Sequence, residues 1–309
     1  FRADQVRENE KLAAANSNCD MFTLMQRAGD AVFKQCLELI PNSDVYLVLV
    51  GQGNNAGDGY IAAMNAKLAG KQVFVCAIEP TRVLEGDAGL AQKRWVDSGG
   101  AIESFDASLL ERADVIIDGL LGTGINSYIR NEFADVIDAI NSSETPVVSV
   151  DVPSGLDANT GQSLGRCVQA DITVTFVGIK PGLVTGAGKQ SCGKLVYADL
   201  GIGNAFQSLA KASATMLNID HFKGMGPRDI HSHKGTYGRL LCIGGNKGTA
   251  GAIRLAGEAA LRSGAGMVRV YTHESSVVQV SAGRPELMVT DSQLDDALQW
   301  ASCVVIGPG

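Results

Sequence analysis

The sequence predicts an α/β protein in which a doubly wound, mostly parallel sheet is followed by a second, incomplete α/β unit. Three observations point there. Short apolar runs alternate with helical stretches through the first two thirds of the chain, the pattern of buried parallel strands covered by helices on both faces. Many of the 37 glycines sit at the ends of those runs, where the backbone must turn tightly. Past residue 220 the succession of strand, glycine loop, helix and strand starts again in "GRLLCIGGNKGTAGAIRLAGEAALRSGAGMVRVYT". A length of 309 residues leaves room for both units.

The elements follow in order. Over residues 23–40, Met25, Ala28, Val32, Cys36 and Leu39 recur at three and four, with Arg27, Asp30, Lys34 and Glu38 on the other face, which predicts an amphipathic helix. Strands are expected at 45–50, 72–78, 114–118, 146–151, 172–178 and 194–198, and helices near 57–69, 85–98 and 131–141. The pattern lapses over 200–220, and "GIGNAFQSLAKAS" reads as a domain boundary. The two units share a plan more than a sequence. The last run, "ASCVVIGPG", is a strand leading into a glycine turn where the chain stops, as in a domain cut short.

Composition excludes several classes. A net charge of −7 leaves no electrostatic footprint for nucleic acid, and no Lys/Arg block or long apolar run suggests a membrane. The seven cysteines have no C-x-x-C spacing and read as free thiols of a reducing compartment, here the cytoplasm. His221, His231, His233 and His273 lack the grouping of a metal site.

In an open parallel sheet, ligands gather beyond the carboxyl ends of the strands. Three loops leave that edge with polar side chains: Asn54, Asn55 and Asp58; Asp118 with Gly122, Thr123 and Gly124; and Asp151 with Pro153, Ser154 and Gly155. A fourth strand delivers Lys180. Taken singly, Asp58 can be a helix cap, Asp118 and Asp151 can close turns, and the glycines can serve bends. Their convergence on one edge favours a site, since carboxylates with little water need partners.

Gly51, Gly53 and Ala56 match the dinucleotide fingerprint G-x-G-x-x-G/A, with Glu79 near the end of the next strand. Asp58, however, puts a carboxylate where a pyrophosphate wants bare N–H groups. Oxygens of Asn55, Asp118 and Ser154 can instead surround a hard cation, leaving Asp58 or Asp151 to bind hydroxyls. The loop "GGNKGTAGA" lacks the G-K-[ST] ending of a Walker phosphate loop.

"GNNAGDGY", "DGLLGTG" and "VDVPSGLDANTG", with "LMQRAGDAVF" upstream and "ITVTFVGIKPGL" downstream, resemble the NAD(P)H-hydrate epimerases over nearly all of residues 1–215. "SHKGTYGRLLCIGGNKGTAGAIRLAGEAALRSGAGMVRV", "RPELMV" and "VVIGPG" resemble the start of the ADP- or ATP-dependent NAD(P)H-hydrate dehydratases. The resemblance implies a Rossmann-like epimerase domain at 1–215 and the N-terminal part of a ribokinase-like dehydratase domain at 216–309, fused as in the bifunctional NAD(P)H-hydrate repair enzymes. It implies substrate contacts at Asn54, Asn55, Ala56, Gly57 and Asp58, and at Gly122, Thr123, Gly124, Ile125, Asn126, Ser127 and Tyr128. Asp151 is a further contact, and potassium ligands fall on Asn55, Asp118 and Ser154. In the second unit Ala252, Gly307 and Gly309 match hydrate-binding positions.

The implied substrates are NADHX and NADPHX, and the implied cofactors are K+ and, for dehydration, ADP or ATP with Mg2+. A homo-oligomer is the accompanying expectation. The dehydratase family's glycine-rich, aspartate-bearing nucleotide motif has no counterpart in the chain, so epimerisation without dehydration is expected. Epimerising C6 of the hydrated ring moves a proton at its hydroxyl, for which Asp151 is the first candidate and Lys180 its partner or anchor. The competing readings are an NAD(P)-dependent oxidoreductase, on the fingerprint and Glu79, and a non-catalytic epimerase-like binding module.

Overall fold

The computed structural model describes residues 1–309 apart from 126, 223–225 and 292, and the side chains of 219 and 222. Its contacts fall into two units, Phe1–Met216 and Leu217–Gly309.

The first unit opens with α1 (Ala3–Asn16) and α2 (Met21–Leu39). Asp20 caps α2 by accepting a hydrogen bond from the Thr23 N–H at 2.6 Å. Strand and helix then alternate: β1 (Val45–Val50), α3 (Asn54–Leu68), β2 (Gln72–Ala77), α4 (Gly86–Asp97), β3 (Glu103–Ser104), β4 (Val115–Gly119), α5 (Asn131–Ser142), β5 (Val147–Val150), β6 (Ile172–Phe176), α6 (Gly188–Ser191), β7 (Lys194–Ala198) and α7 (Gly203–Leu209). The seven strands lie in the order β3-β2-β1-β4-β5-β6-β7 and every pair is parallel. Because side chains alternate along a strand, β1 feeds two cores. Tyr46, Val48 and Val50 pack under α2, α3 and α4, while Leu47 and Leu49 face α5. This is the doubly wound sheet the sequence predicts.

Several boundaries differ from the sequence expectation. Helix α3 starts at Asn54 with Gly53 as its N-cap, so Asp58 is not a cap but a buried residue of the second turn. The stretch read as a boundary contains α7, whose Phe206 is fully buried and meets the Phe1 ring edge-on at 4.9 Å. Helix α1 has no counterpart among the expected elements. After β5, β6 and β7 the chain turns through left-handed residues that are not glycine: Asp151 (φ 61°), Val177 (φ 63°) and Leu200 (φ 54°). Such backbone costs of order 1–3 kcal/mol per residue and needs support from its surroundings.

The second unit comprises β8 (Arg239–Ile243), α8 (Ala250–Arg262), β9 (Met267–Tyr271), α9 (Val277–Ser281), β10 (Leu287–Thr290), α10 (Leu294–Trp300) and β11 (Cys303–Ile306). Its parallel sheet runs β10-β9-β8-β11 around a small core that includes Cys242, Ile253, Val268, Val270 and Leu287. Among the described residues strand β11 pairs with β8 alone, and all four of its residues are exposed despite their apolar character. The seven cysteines are free, six of them buried and Cys303 exposed. Among the described residues no helix is long and apolar enough to cross a membrane.

Candidate active site

The loops that follow β1, β4 and β5 meet the end of β6 at the carboxyl edge of the first unit's sheet. Asp118, the penultimate residue of β4, is in register with Ser149 of β5. It is wholly buried, and it accepts hydrogen bonds from Ser149 Oγ (2.8 Å), the Ser154 N–H (2.9 Å), Ser154 Oγ and the Leu120 N–H (3.4 Å). Burial raises its pKa, and the bonds from Ser154 and Ser149 oppose the rise. Ser154 Oγ also accepts from the Leu121 N–H at 2.9 Å. Asn55 Nδ2 donates to Leu121 O (3.1 Å) and Val150 O (2.7 Å). The three loops are therefore tied together through Asn55, Asp118 and Ser154. Their donors are carboxylate, hydroxyl, amide and carbonyl oxygens, a set that fits a hard cation and not a thiophilic one.

Two cavities open beside this knot. The outer one, of about 530 Å³, is lined by Asn54, Asn55, Gly122, Thr123, Gly124, Ile125, Ser127 and Tyr128 among others. Asn126 lies outside the described residues. The inner chamber, of about 160 Å³, shares Arg7, Asn54, Asn55 and Thr123 with the outer cavity and holds Asp58, Asp151 and Lys180. Ala56 and Gly57 are buried in α3 and line neither cavity. A Cβ on Gly57 would lie 2.5 Å from the Met25 sulfur, so glycine there serves helix packing. Asp118 and Ser154 sit behind the wall and line neither.

Lys180 is 1% exposed and forms an ion pair with Asp151, which is 13% exposed. Its ammonium also donates to Thr175 Oγ1 (3.2 Å) and Phe176 O (3.0 Å). The same Asp151 oxygen accepts from Thr175 Oγ1 (3.1 Å) and the Phe176 N–H (3.0 Å). A buried cation with so many acceptors is a built feature of the chamber, not a surface lysine. Asp58, 7% exposed, has its pKa raised well above the usual carboxyl range, first by burial and then by the charges of Asp151 and Glu10.

Sequence reasoning missed Glu10 and Arg7 of α1, both of which line the chamber. Burial, and then the charge of Asp151, push the Glu10 carboxyl up to about 7, while Lys180 and Arg7 oppose the shift. The signal was present: Ala3, Val6 and Ala13 are buried on one helical stripe, and Glu10 continues it at spacings of four and three. A carboxylate on an apolar stripe is a site candidate.

The dinucleotide fingerprint serves another purpose here. A Cβ on Gly51 would lie 1.8 Å from Leu120 O, so this glycine permits the β1 and β4 loops to touch. Glu79 is engaged by Gln52 (2.8 Å) and Arg82 (3.3 Å), and the hollow beside it, about 10 Å³, holds roughly one water and no ribose. In the second unit, Gly307–Gly309 follow β11 and lie against the loop after β8. Gly307 N–H donates to Ile243 O (2.7 Å) and Gly245 N–H to Pro308 O (3.0 Å), while Ala252 sits in the first turn of α8.

Comparison with known proteins finds a family match within each unit. Residues 22–182 match the family model described as YjeF-related protein N-terminus, and residues 240–309 match the one described as NAD(P)H-hydrate dehydratase. The bifunctional NAD(P)H-hydrate repair enzyme Nnr of Escherichia coli (strain K12) is 43% identical over 99% of the chain, and that of Leishmania major is 38% identical over all of it. The chain spans 60% and 59% of the lengths of these relatives. The crystal structure of yeast ynu0 superposes on 63% of the chain and 86% of its own with a TM-score of 0.55; at 21% identity it shows the fold alone.

Proposed function

This chain belongs to the YjeF-related family, and we propose on that premise that it acts in the repair of hydrated reduced nicotinamide cofactors. Residues 1–215 form an epimerase that interconverts the R and S forms of NADHX or NADPHX at C6. Residues 216–309 belong to an ADP- or ATP-dependent dehydratase, working with Mg2+, that restores NAD(P)H, with Ala252, Gly307 and Gly309 meeting the hydrate. We take the working form to be a cytoplasmic homo-oligomer with neither nucleic acid nor membrane as partner; the net charge of −7 supports the absence of nucleic acid.

The observation that carries this reading is the inner chamber with its Asp151–Lys180 pair, opening into a larger cavity lined by both loops of the substrate motif. A hydrated nicotinamide ring occupies the chamber and the rest of the dinucleotide extends along the outer cavity past Asn54 and the 122–128 loop. Asp151 is the general acid/base for the C6 hydroxyl, a role worth roughly 10²–10⁴-fold in rate. Lys180 holds that carboxylate in place through their ion pair. Asn55, Asp118 and Ser154 hold potassium, which supplies positive charge that fixes the loops around the substrate.

One purified epimer of the NADH hydrate, incubated with the chain in potassium or in sodium buffer, is followed by chromatography. The other epimer is expected roughly 100-fold faster than in buffer alone, and faster in potassium; Asp151→Asn removes the acceleration. Equal rates with and without the protein would discard the epimerase reading.

A further inference from the structure

We propose that Glu10 of α1 is a second catalytic acid/base in the epimerase chamber, working with Asp151 on the C6 hydroxyl; this rests on the epimerase reading. Inverting one carbon requires a hydroxyl to leave from one face of the ring and another to arrive on the other. A single carboxylate has one line of approach, so a reaction that runs both ways needs two proton-handling groups. Asp151 leaves the end of β5, whereas Glu10 enters on α1, a different element, and both line the same chamber of about 160 Å³. Asp151 is held by Lys180, Thr175 and the Phe176 N–H, but no described residue donates a hydrogen bond to the Glu10 carboxyl. A half-buried carboxyl left without a protein partner at a cavity wall is one kept for a ligand.

The charged and titratable groups facing Glu10 are Arg7 on its own helix, Asp58 on α3, Asp87 on α4, Asp151 after β5 and Lys180 after β6. The Lys180 ammonium and the Arg7 guanidinium cannot balance the four carboxylates Glu10, Asp58, Asp87 and Asp151, so protons are retained among them. Burial and the Asp151 charge put the Glu10 carboxyl at about 7, where it can both give and take a proton near neutrality.

Chemically, the C6–O bond breaks with its electron pair on oxygen, and the Glu10 carboxyl protonates that oxygen so that it departs as water. The ring-nitrogen lone pair meanwhile forms a C6=N iminium. Water adds to the other face of C6, the C=N pair returns to nitrogen, and the proton lost by that water passes to the Asp151 carboxylate. One hydroxyl has been exchanged for one on the opposite face, and one proton has moved from Glu10 to Asp151. The reverse reaction uses the same two groups with roles exchanged, and solvent restores the proton between turnovers.

The test compares wild type, Glu10→Gln and Glu10→Asp in epimer interconversion across pH, with the uncatalysed rate subtracted. Wild-type kcat/KM is expected to fall as pH rises through about 7. Glu10→Gln is expected to lower kcat about 100-fold with KM within about threefold and to lose that alkaline limb; Glu10→Asp regains part of the rate. A Glu10→Gln rate within about threefold of wild type, with the limb intact, overturns the assignment. So does a wild-type profile without an inflection near 7, which needs no variant to fold. If wild type fails to interconvert the epimers, the epimerase reading falls first and this assignment with it.

Discussion

Lys180→Met keeps the length and apolar bulk of a side chain that is 1% exposed while deleting its charge. The Asp151 carboxylate then keeps only neutral donors, Thr175 Oγ1 and the Phe176 N–H, and Phe176 O loses the ammonium at 3.0 Å. Removing one partner of a buried pair costs about 3–5 kcal/mol. Asp151 retains some access to the chamber at 13% exposure, which argues for the lower end, about 3 kcal/mol. With a urea slope of about 2 kcal/mol/M, the unfolding midpoint moves down by roughly 1.5 M. The double variant Lys180→Met/Asp151→Asn has no stranded charge and should recover about 2 kcal/mol of that loss. Of the two tryptophans, Trp95 is buried in the first unit and Trp300 lies in the second, so a Trp300→Phe background makes fluorescence report on the unit that holds the pair. A midpoint shift below about 0.3 M for the single variant, or a double variant less stable than the single, would show that the pair is not a buried, mutually dependent one.

Two further outcomes follow from the same site. The Glu10 carboxyl lies at about 7 in the folded chain against an ordinary 4.5, so the fold binds that proton more tightly than the unfolded chain does. Stability at this group is therefore lost as pH rises from 4.5 through about 7. Glu10→Gln, which cannot ionise, should match wild type in melting temperature near pH 4.5 and exceed it by a few degrees at pH 8, about 1–3 kcal/mol. Calorimetry at both pH values checks this, and equal melting at pH 8 contradicts it. Gly122→Ala would set a Cβ 2.6 Å from Asn55 Oδ1. Displacing that amide is expected to raise the potassium concentration needed for half-maximal rate by about tenfold with little change in melting; an unchanged potassium titration removes Asn55 from the ion's surroundings.

The centre of the parallel sheet was legible because β1, β4, β5 and β6 are largely apolar runs buried on both faces, whereas the two-residue β3 is exposed and carries no such signal. The grouping of Asn55, Asp118, Asp151 and Ser154 was legible for the same reason, since strand ends fix which residues share an edge. Helix α1 was not. The helix buries Ala3, Val6, Ala13 and Ala14, but the polar "RENEK" between them swamps the periodicity. Glu10 was lost with the helix. Helix α7 was hidden by its glycine and asparagine start, and its one fully buried aromatic, Phe206, is satisfied by a ring at the far end of the sequence. The fingerprint at Gly51 misled because a glycine demanded by a touching loop looks the same in sequence as one demanded by a pyrophosphate.

Asp151, Val177 and Leu200, the three residues in left-handed backbone after successive strands, all line the inner chamber. Each corner stands away from the geometry its own side chain prefers, and Val177, branched at Cβ, stands furthest. Val177 and Leu200 are packed into the main apolar core while Asp151 is held by Lys180, Thr175 and the Phe176 N–H, so the outline of this small room depends on both kinds of support. Loosening that packing at a distance, by any route, would be felt first at these corners and hence by whatever the room contains.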